Sequence, residues 1–195
     1  MEEYAHIVDY LPRGRPDNPR SKEPVAYAVG ESNFVLLELV PKQDAALLVG
    51  DRVYLGKEQA QRDKIDHVRG RVKFDEMTHS AQSELRFVLE DIVKKNEARF
   101  VKFFNDAGPI TMRMHTLELL PGLGKKLMWA VINERKHGPF KTFDDMAARV
   151  KPLHQPAKLI AHRIETEITD ANQKYHLFVL PFVEREGFGP PGGRR

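Results

Sequence analysis

Pro121-Gly122-Leu123-Gly124-Lys125-Lys126 is the stretch whose residue types and spacing could do chemistry. Glycine accepts positive φ and lets a ligand approach the backbone where a β-carbon would obstruct it. The residues after Gly124 open a helix, and the first N–H groups of a helix have no partner within it. Together with the helix dipole, those donors make an anion site that suits a phosphate. Lys125 and Lys126 fall in the first turn, where their charge opposes the dipole until an anion binds. The site expected from these residues is Gly122, Leu123, Gly124, Lys125 and Lys126, and its ligand is a polyanion backbone.

The distribution of charge agrees. The chain of 195 residues has a net charge of only +3. Residues 110–163 nevertheless carry 10 basic against 4 acidic side chains, net +6. Residues 1–74 balance at 12 and 12, 75–109 stand at −2 and 164–195 at −1. The positive excess thus surrounds the glycine turn, as phosphate binding requires. With no cysteine, disulfides and thiolate zinc sites are excluded. No apolar run approaches the length of a membrane span, and the amino terminus lacks a signal-peptide pattern, so the expected compartment is the cytoplasm.

A second basic stretch lies upstream. Residues 11–24 hold four prolines and a glycine, which forbid regular structure, together with Arg13, Arg15, Arg20 and Lys22. Around it, residues 4–10, 25–29, 33–40, 52–55 and 67–74 read as short strands separated by turn signals. Five strands in so short a span predict a small antiparallel β-barrel, OB-like, over residues 1–76. In that fold the first inter-strand loop commonly contacts nucleic acid, and the Pro-Arg segment occupies its place.

The periodicity changes from Thr78 on. Leu85, Val88, Leu89, Ile92 and Val93 follow helical spacing, with Ser80 or Ser83 as the cap, and Phe100, Phe103 and Phe104 continue it into a core. Residues 77–108 therefore form a helical connector, and Asp106-Ala107-Gly108-Pro109 ends it. In the next unit, 109–170, a short helix ends at Leu119-Leu120. A second helix, about 125–136, buries Leu127, Ala130 and Val131 with Met128 and Ile132 flanking. Thr142 with Asp145 resembles a capping box for a helix near 143–150, and 155–168 is the last helix. Residues 171–184 read as an apolar strand packing back, with Pro181 confining it to an edge. The tail 185–195 is low-complexity and expected to be disordered. The fold class is α+β.

The stretch from Leu120 to Ala130 resembles the helix-hairpin-helix motif of non-sequence-specific nucleic-acid binders. The family pattern of leucine, Pro-Gly-aliphatic-Gly, basic residues and a small residue is matched by Leu120, Pro121-Gly122-Leu123-Gly124, Lys125-Lys126 and Ala130. The likeness extends through Gly138-Pro139-Phe140. That family often pairs two such hairpins about a pseudo-two-fold axis. At an offset of 32, Lys126-Leu127 matches Lys158-Leu159, so a degenerate second hairpin is expected, at which His154, Lys158 and Arg163 could touch a phosphate. The overall order resembles an uncharacterised family of archaeal proteins that joins an OB-like amino-terminal part to a helix-hairpin-helix domain. That resemblance implies nucleic-acid binding in an information-processing, translation-linked role.

Catalysis finds little support. Asp144 and Asp145 follow Gly124 at the distance of the catalytic aspartate in hairpin-containing glycosylases, but a helix cap accounts for them. The eight histidines show no metal-ligand spacing, and neither a P-loop nor a dinucleotide fingerprint is present. The expectation is a non-enzymatic binder of RNA or DNA backbone, RNA favoured, with no cofactor and no metal. A repair or processing enzyme and a protein–protein adaptor remain the alternatives.

Overall fold

The computed structural model describes residues 2–15, 22–170 and 172–182. Five strands come first: β1 (Tyr4–Leu11), β2 (Val25–Gly30), β3 (Leu36–Pro41), β4 (Arg52–Tyr54) and β5 (Ile65–Arg71). They form one sheet in the order β4-β1-β2-β3-β5, with every neighbouring pair antiparallel. All six residues of β2 and of β3 are buried, so both faces of the sheet are covered. Side chains alternate between the two faces with the period of two that a strand imposes. On the inner face Ala5, Ala26 and Ala28 leave room for the sheet to curl around Ile7, Leu37, Leu39, Val53, Leu55 and Ile65. On the outer face Val8, Val25, Tyr27 and Val29 meet the helices.

The curled sheet is a half-barrel rather than the expected closed barrel. Strand β4 has only three residues and does not pair with β5. Side-chain bonds span the gap instead. Arg62, just before β5, donates to the carbonyls of Leu55 (3.0 Å) and Gly56 (2.8 Å), just after β4. A guanidinium offers several donors in a planar fork, so one side chain takes the place of part of a ladder.

Helix α1 (His79–Lys95) lays Ala81, Leu85, Val88, Leu89, Ile92 and Val93 against the outer face. Its cap is Thr78, whose Oγ1 accepts from Ala81 N at 3.1 Å, and not Ser80 or Ser83. Helix α2 (Glu97–Asp106) follows directly and buries Phe100, Val101 and Phe104. The same buried cluster continues through α3 (Lys125–Glu134), α4 (Phe143–Arg149) and α5 (Pro156–Thr169). Arg135 locks these helices to α2 by donating to the carbonyls of Phe104, Asn105 and Ala107 at 2.8–3.0 Å. Those are the unpaired carbonyls at a helix end, where a cation is favoured.

A short ribbon, β6 (Pro109–Thr111) with β7 (Met114–His115), leads into the hairpin. The carboxyl-terminal run does pack back, with Phe178 against Phe100 and Phe103, but it forms no strand among the described residues. One backbone bond, Leu180 N to Asn33 O at 3.0 Å, ties it to the sheet end. The tail expected to be disordered lies outside the described residues.

Candidate nucleic-acid interface

The glycine stretch folds as its residue types dictate. Leu123 N donates to Leu120 O at 3.0 Å, closing a four-residue turn. Pro121 stands at its second position and Gly122, with φ +84, at its third. This is a type II turn, which favours proline and then requires a residue tolerant of positive φ. Leu120 and Leu123 are 1% and 2% exposed, so both ends of the turn are pinned in the core while Gly122 faces out. A β-carbon on Gly122 would meet Leu159 Cδ2 of α5 at 3.6 Å.

The element before the turn differs from expectation. Residues Thr116–Leu119 form one 3-10 turn rather than a helix ending at Leu119-Leu120. His115 caps it, with Nδ1 accepting from Leu117 N at 3.1 Å, while Glu118 accepts from His115 N at 2.8 Å. Those local bonds close a short turn without further helical residues.

Gly124 is the N-cap of α3, with φ −69 and ψ 171, a conformation open to any residue. Nothing lies within 4 Å of a β-carbon built on it. Neither backbone strain nor packing calls for glycine there. No side chain caps α3 and its first turn holds no acid, whereas Thr78 caps α1 and Thr142 caps α4. Lys125 and Lys126 are exposed, and neither forms an ion pair among the described residues. Helix α3 packs through Met128 and Val131, while the expected Leu127 and Ala130 are only half-buried.

A turn with the same backbone bond precedes α5. Leu153 N donates to Val150 O at 2.7 Å, as Leu123 does to Leu120, and Val150 and Leu153 are likewise buried. Here the turn holds Lys151-Pro152 instead of Pro-Gly, and one more residue, His154, precedes the N-cap Gln155. The offset is therefore 30 at the turn and 31 at the cap. His154 and Lys158 are exposed, but Arg163 is 5% exposed and holds Glu167, which removes it from any phosphate contact. Contact with Leu159 puts the hairpin turn beside the first turn of α5. The last turn of α5, Glu167–Thr169, lines a cavity of about 530 Å³ with Leu36, Val72 and Phe74.

In the Pro-Arg loop the four basic residues part ways. Arg13 and Lys22 are exposed and form no ion pair among the described residues. Arg15 is drawn back onto the sheet, its Nη1 3.1 Å from Glu38 Oε2 in β3. Arg20 lies outside the described residues. In the segment 110–163, arginines 135, 149 and 163 bond to carbonyls or carboxylates, whereas Arg113 and the lysines are exposed.

The comparisons with known proteins agree on one relationship. The family described as "Protein of unknown function (DUF655)" matches residues 1–180. The chain belongs to this family. It is 48% identical over 180 residues to uncharacterized protein MJ0038 of Methanocaldococcus jannaschii, covering 92% of this chain and 80% of that one. The crystal structure of Af1531 from Archaeoglobus fulgidus, a DUF655 structure, is similar with a TM-score of 0.86 and 47% identity. That match covers 92% of this chain and all of the other.

Within this DUF655 chain Asp145 belongs to the cap of α4, and Asp144 is exposed in its first turn. Thr142 Oγ1 accepts from Asp145 N at 3.0 Å, and Asp145 Oδ2 accepts from Lys141 N at 2.9 Å. The reciprocal half of the box thus falls one residue early. The Lys141 amide and the Arg149 guanidinium hold the Asp145 carboxyl below its ordinary pKa. Among the described residues no three His, Cys, Asp or Glu side chains gather as a metal site, and no helix is long and apolar enough to cross a membrane. One surface residue of α3 received no role from sequence reasoning. Trp129, on α3 one turn beyond the lysines, is 55% exposed.

Proposed function

We propose that this protein binds nucleic acid through the backbone phosphates, without reading sequence, at the Gly122–Lys126 turn. The observation that carries the reading is Gly124. Its dihedral angles suit any residue, and a β-carbon there would point into open space. A residue that the fold does not require to be glycine is explained by what must approach it. A phosphate oxygen on the free N–H groups of the first turn of α3 needs that clearance.

The resemblance to helix-hairpin-helix proteins supports the same reading. So do the type II turn, the uncapped helix and two lysines without internal partners. The half-barrel, OB-like in strand order, brings Arg13 and Lys22 as a second set of phosphate contacts. RNA ranks ahead of DNA, on the translation-linked role implied by the resemblance to the archaeal family. Contacts of this kind fix position on the polymer and carry no base information.

Titration with random-sequence RNA and DNA oligonucleotides over a range of salt tests the proposal. The expected result is binding that weakens linearly in log–log form with salt. Lys126→Ala is expected to weaken binding on every sequence alike and to lower the slope by about 1. No binding at low salt, or binding indifferent to Lys126, overturns it.

A further inference from the structure

Trp129 is the only tryptophan of the chain. It is 55% exposed, and among the described residues its ring makes no aromatic or cation–π contact. Helix α3 already has its packing face in Met128 and Val131, so the core does not account for the indole. Lys125, Trp129 and Asn133 follow at i, i+4 and i+8, and all are exposed along one row. Lys126 flanks the row at one end, and Lys136, bonded to Asn133 Oδ1 at 3.0 Å, closes the other. The rise from Lys125 to Trp129 is about 6 Å. Helical side chains lean toward the N-terminus, so the indole lies over the turn that presents the lysines and Gly124.

A second exposed aromatic provides the contrast. Phe87 on α1 is 63% exposed, but Glu84, Glu90 and Asp91 are its neighbours at i−3, i+3 and i+4. A polyanion is repelled there. At Trp129 charge and aromatic surface agree. An aromatic ring amid lysines is the pairing that holds single strands, with phosphates on the cations and a base on the ring. A base inside a duplex is already stacked and offers its face to nothing.

We infer that Trp129 is a stacking platform for an unpaired base next to the phosphate held at Gly122–Lys126, so that the site takes single-stranded nucleic acid in preference to duplex. This rests on the phosphate reading of the hairpin. The tryptophan adds what a backbone contact lacks, a preference for strand state without a preference for sequence.

The test uses the full chain and matched 12-mers of single-stranded and duplex RNA and DNA. With one tryptophan, intrinsic fluorescence reports this site alone, and single strands are expected to quench it while inorganic polyphosphate, which has no base, does not. By anisotropy of labelled oligonucleotides, Trp129→Ala is expected to lose about tenfold or more on single strands and less than twofold on duplex. Trp129→Phe keeps most of the affinity, and Phe87→Ala changes nothing. Equal loss on both strand states, quenching by polyphosphate, or no loss with no quenching overturns the inference. If Gly124→Val abolishes binding while Trp129→Ala leaves it intact, stacking fails and the phosphate site stands. If Gly124→Val and Lys126→Ala both bind as wild type, both fail together.

Discussion

Arg163 Nε donates to Glu167 Oε1 at 2.7 Å, and the two side chains are 6% and 0% exposed. The same carboxylate accepts from Leu177 N, Phe178 N and Val179 N at 2.8, 3.0 and 3.0 Å. Arg163 reaches in turn to Tyr175 O. One buried pair on α5 thereby holds the carboxyl-terminal run against the helices. Glu167→Ala leaves a buried guanidinium without its partner and is expected to cost about 3–5 kcal/mol. Urea unfolding measures the loss, and amide exchange at Leu177–Val179 is expected to accelerate. A loss under about 1 kcal/mol contradicts the assignment.

The same pair shows where sequence reading stops. The apolar run within 171–184 looks like a strand, but Glu167 takes the three successive N–H groups of Leu177, Phe178 and Val179 that a ladder would need. Pattern reveals which residues are apolar, not which carboxylate reaches them. Arg15 is a parallel case, since its basic charge was legible and its engagement with Glu38 in β3 was not. The core face of α1 was legible because one helix packs on one sheet with a regular period. So was the turn, because Pro121 fixes φ at its second position and Gly122 accepts the positive φ required at its third. Barrel closure was not, since β4 and β5 are joined by the side chain of Arg62. Trp129 carried a signal, an aromatic one turn from two lysines, but exposure decides its meaning.

Gly122 and Gly124 are expected to separate stability from binding. Gly122→Ala places a side chain at φ +84 and costs about 1–2 kcal/mol. Gly124→Ser adds an N-cap and is expected to hold or raise stability by a few tenths of a kcal/mol. The serine oxygen would occupy the first-turn N–H groups, so affinity falls while the melting temperature does not. Calorimetry alongside binding checks the pair, and a Gly124→Ser protein that binds as wild type removes the backbone site.

His6 is expected to make stability depend on pH. It is 1% exposed, with Nε2 3.4 Å from Glu31 and the Gly50 backbone also beside the ring. Burial pushes its pKa below 6.5 against the pull of Glu31. Below pH 6.5 the unfolded chain takes up a proton that the folded chain refuses. The stability is complete above that value and is lost as pH falls through the window beneath it. His6→Gln is expected to flatten this share of the dependence between pH 7 and 5. Parallel slopes for the two proteins would contradict it.

In the Pro-Arg loop Arg13 and Lys22 are expected to contribute where Arg15 does not. Arg13→Ala with Lys22→Ala lowers affinity and reduces the salt slope by up to about 2. Arg15→Ala instead costs stability, because Glu38, 7% exposed, loses a partner. Oligonucleotides too short to span loop and hairpin are expected to show only the hairpin effect.

Gly124→Val tests the phosphate site most directly, because a β-carbon there has open space around it and the backbone angles suit any residue. The measurement is the affinity for random-sequence RNA and DNA across salt, with unfolding followed in parallel. The expected result is a protein that unfolds within about 1 kcal/mol of wild type and has lost most of its binding and salt dependence. A folded Gly124→Val protein that binds with unchanged affinity and unchanged salt slope would contradict the assignment.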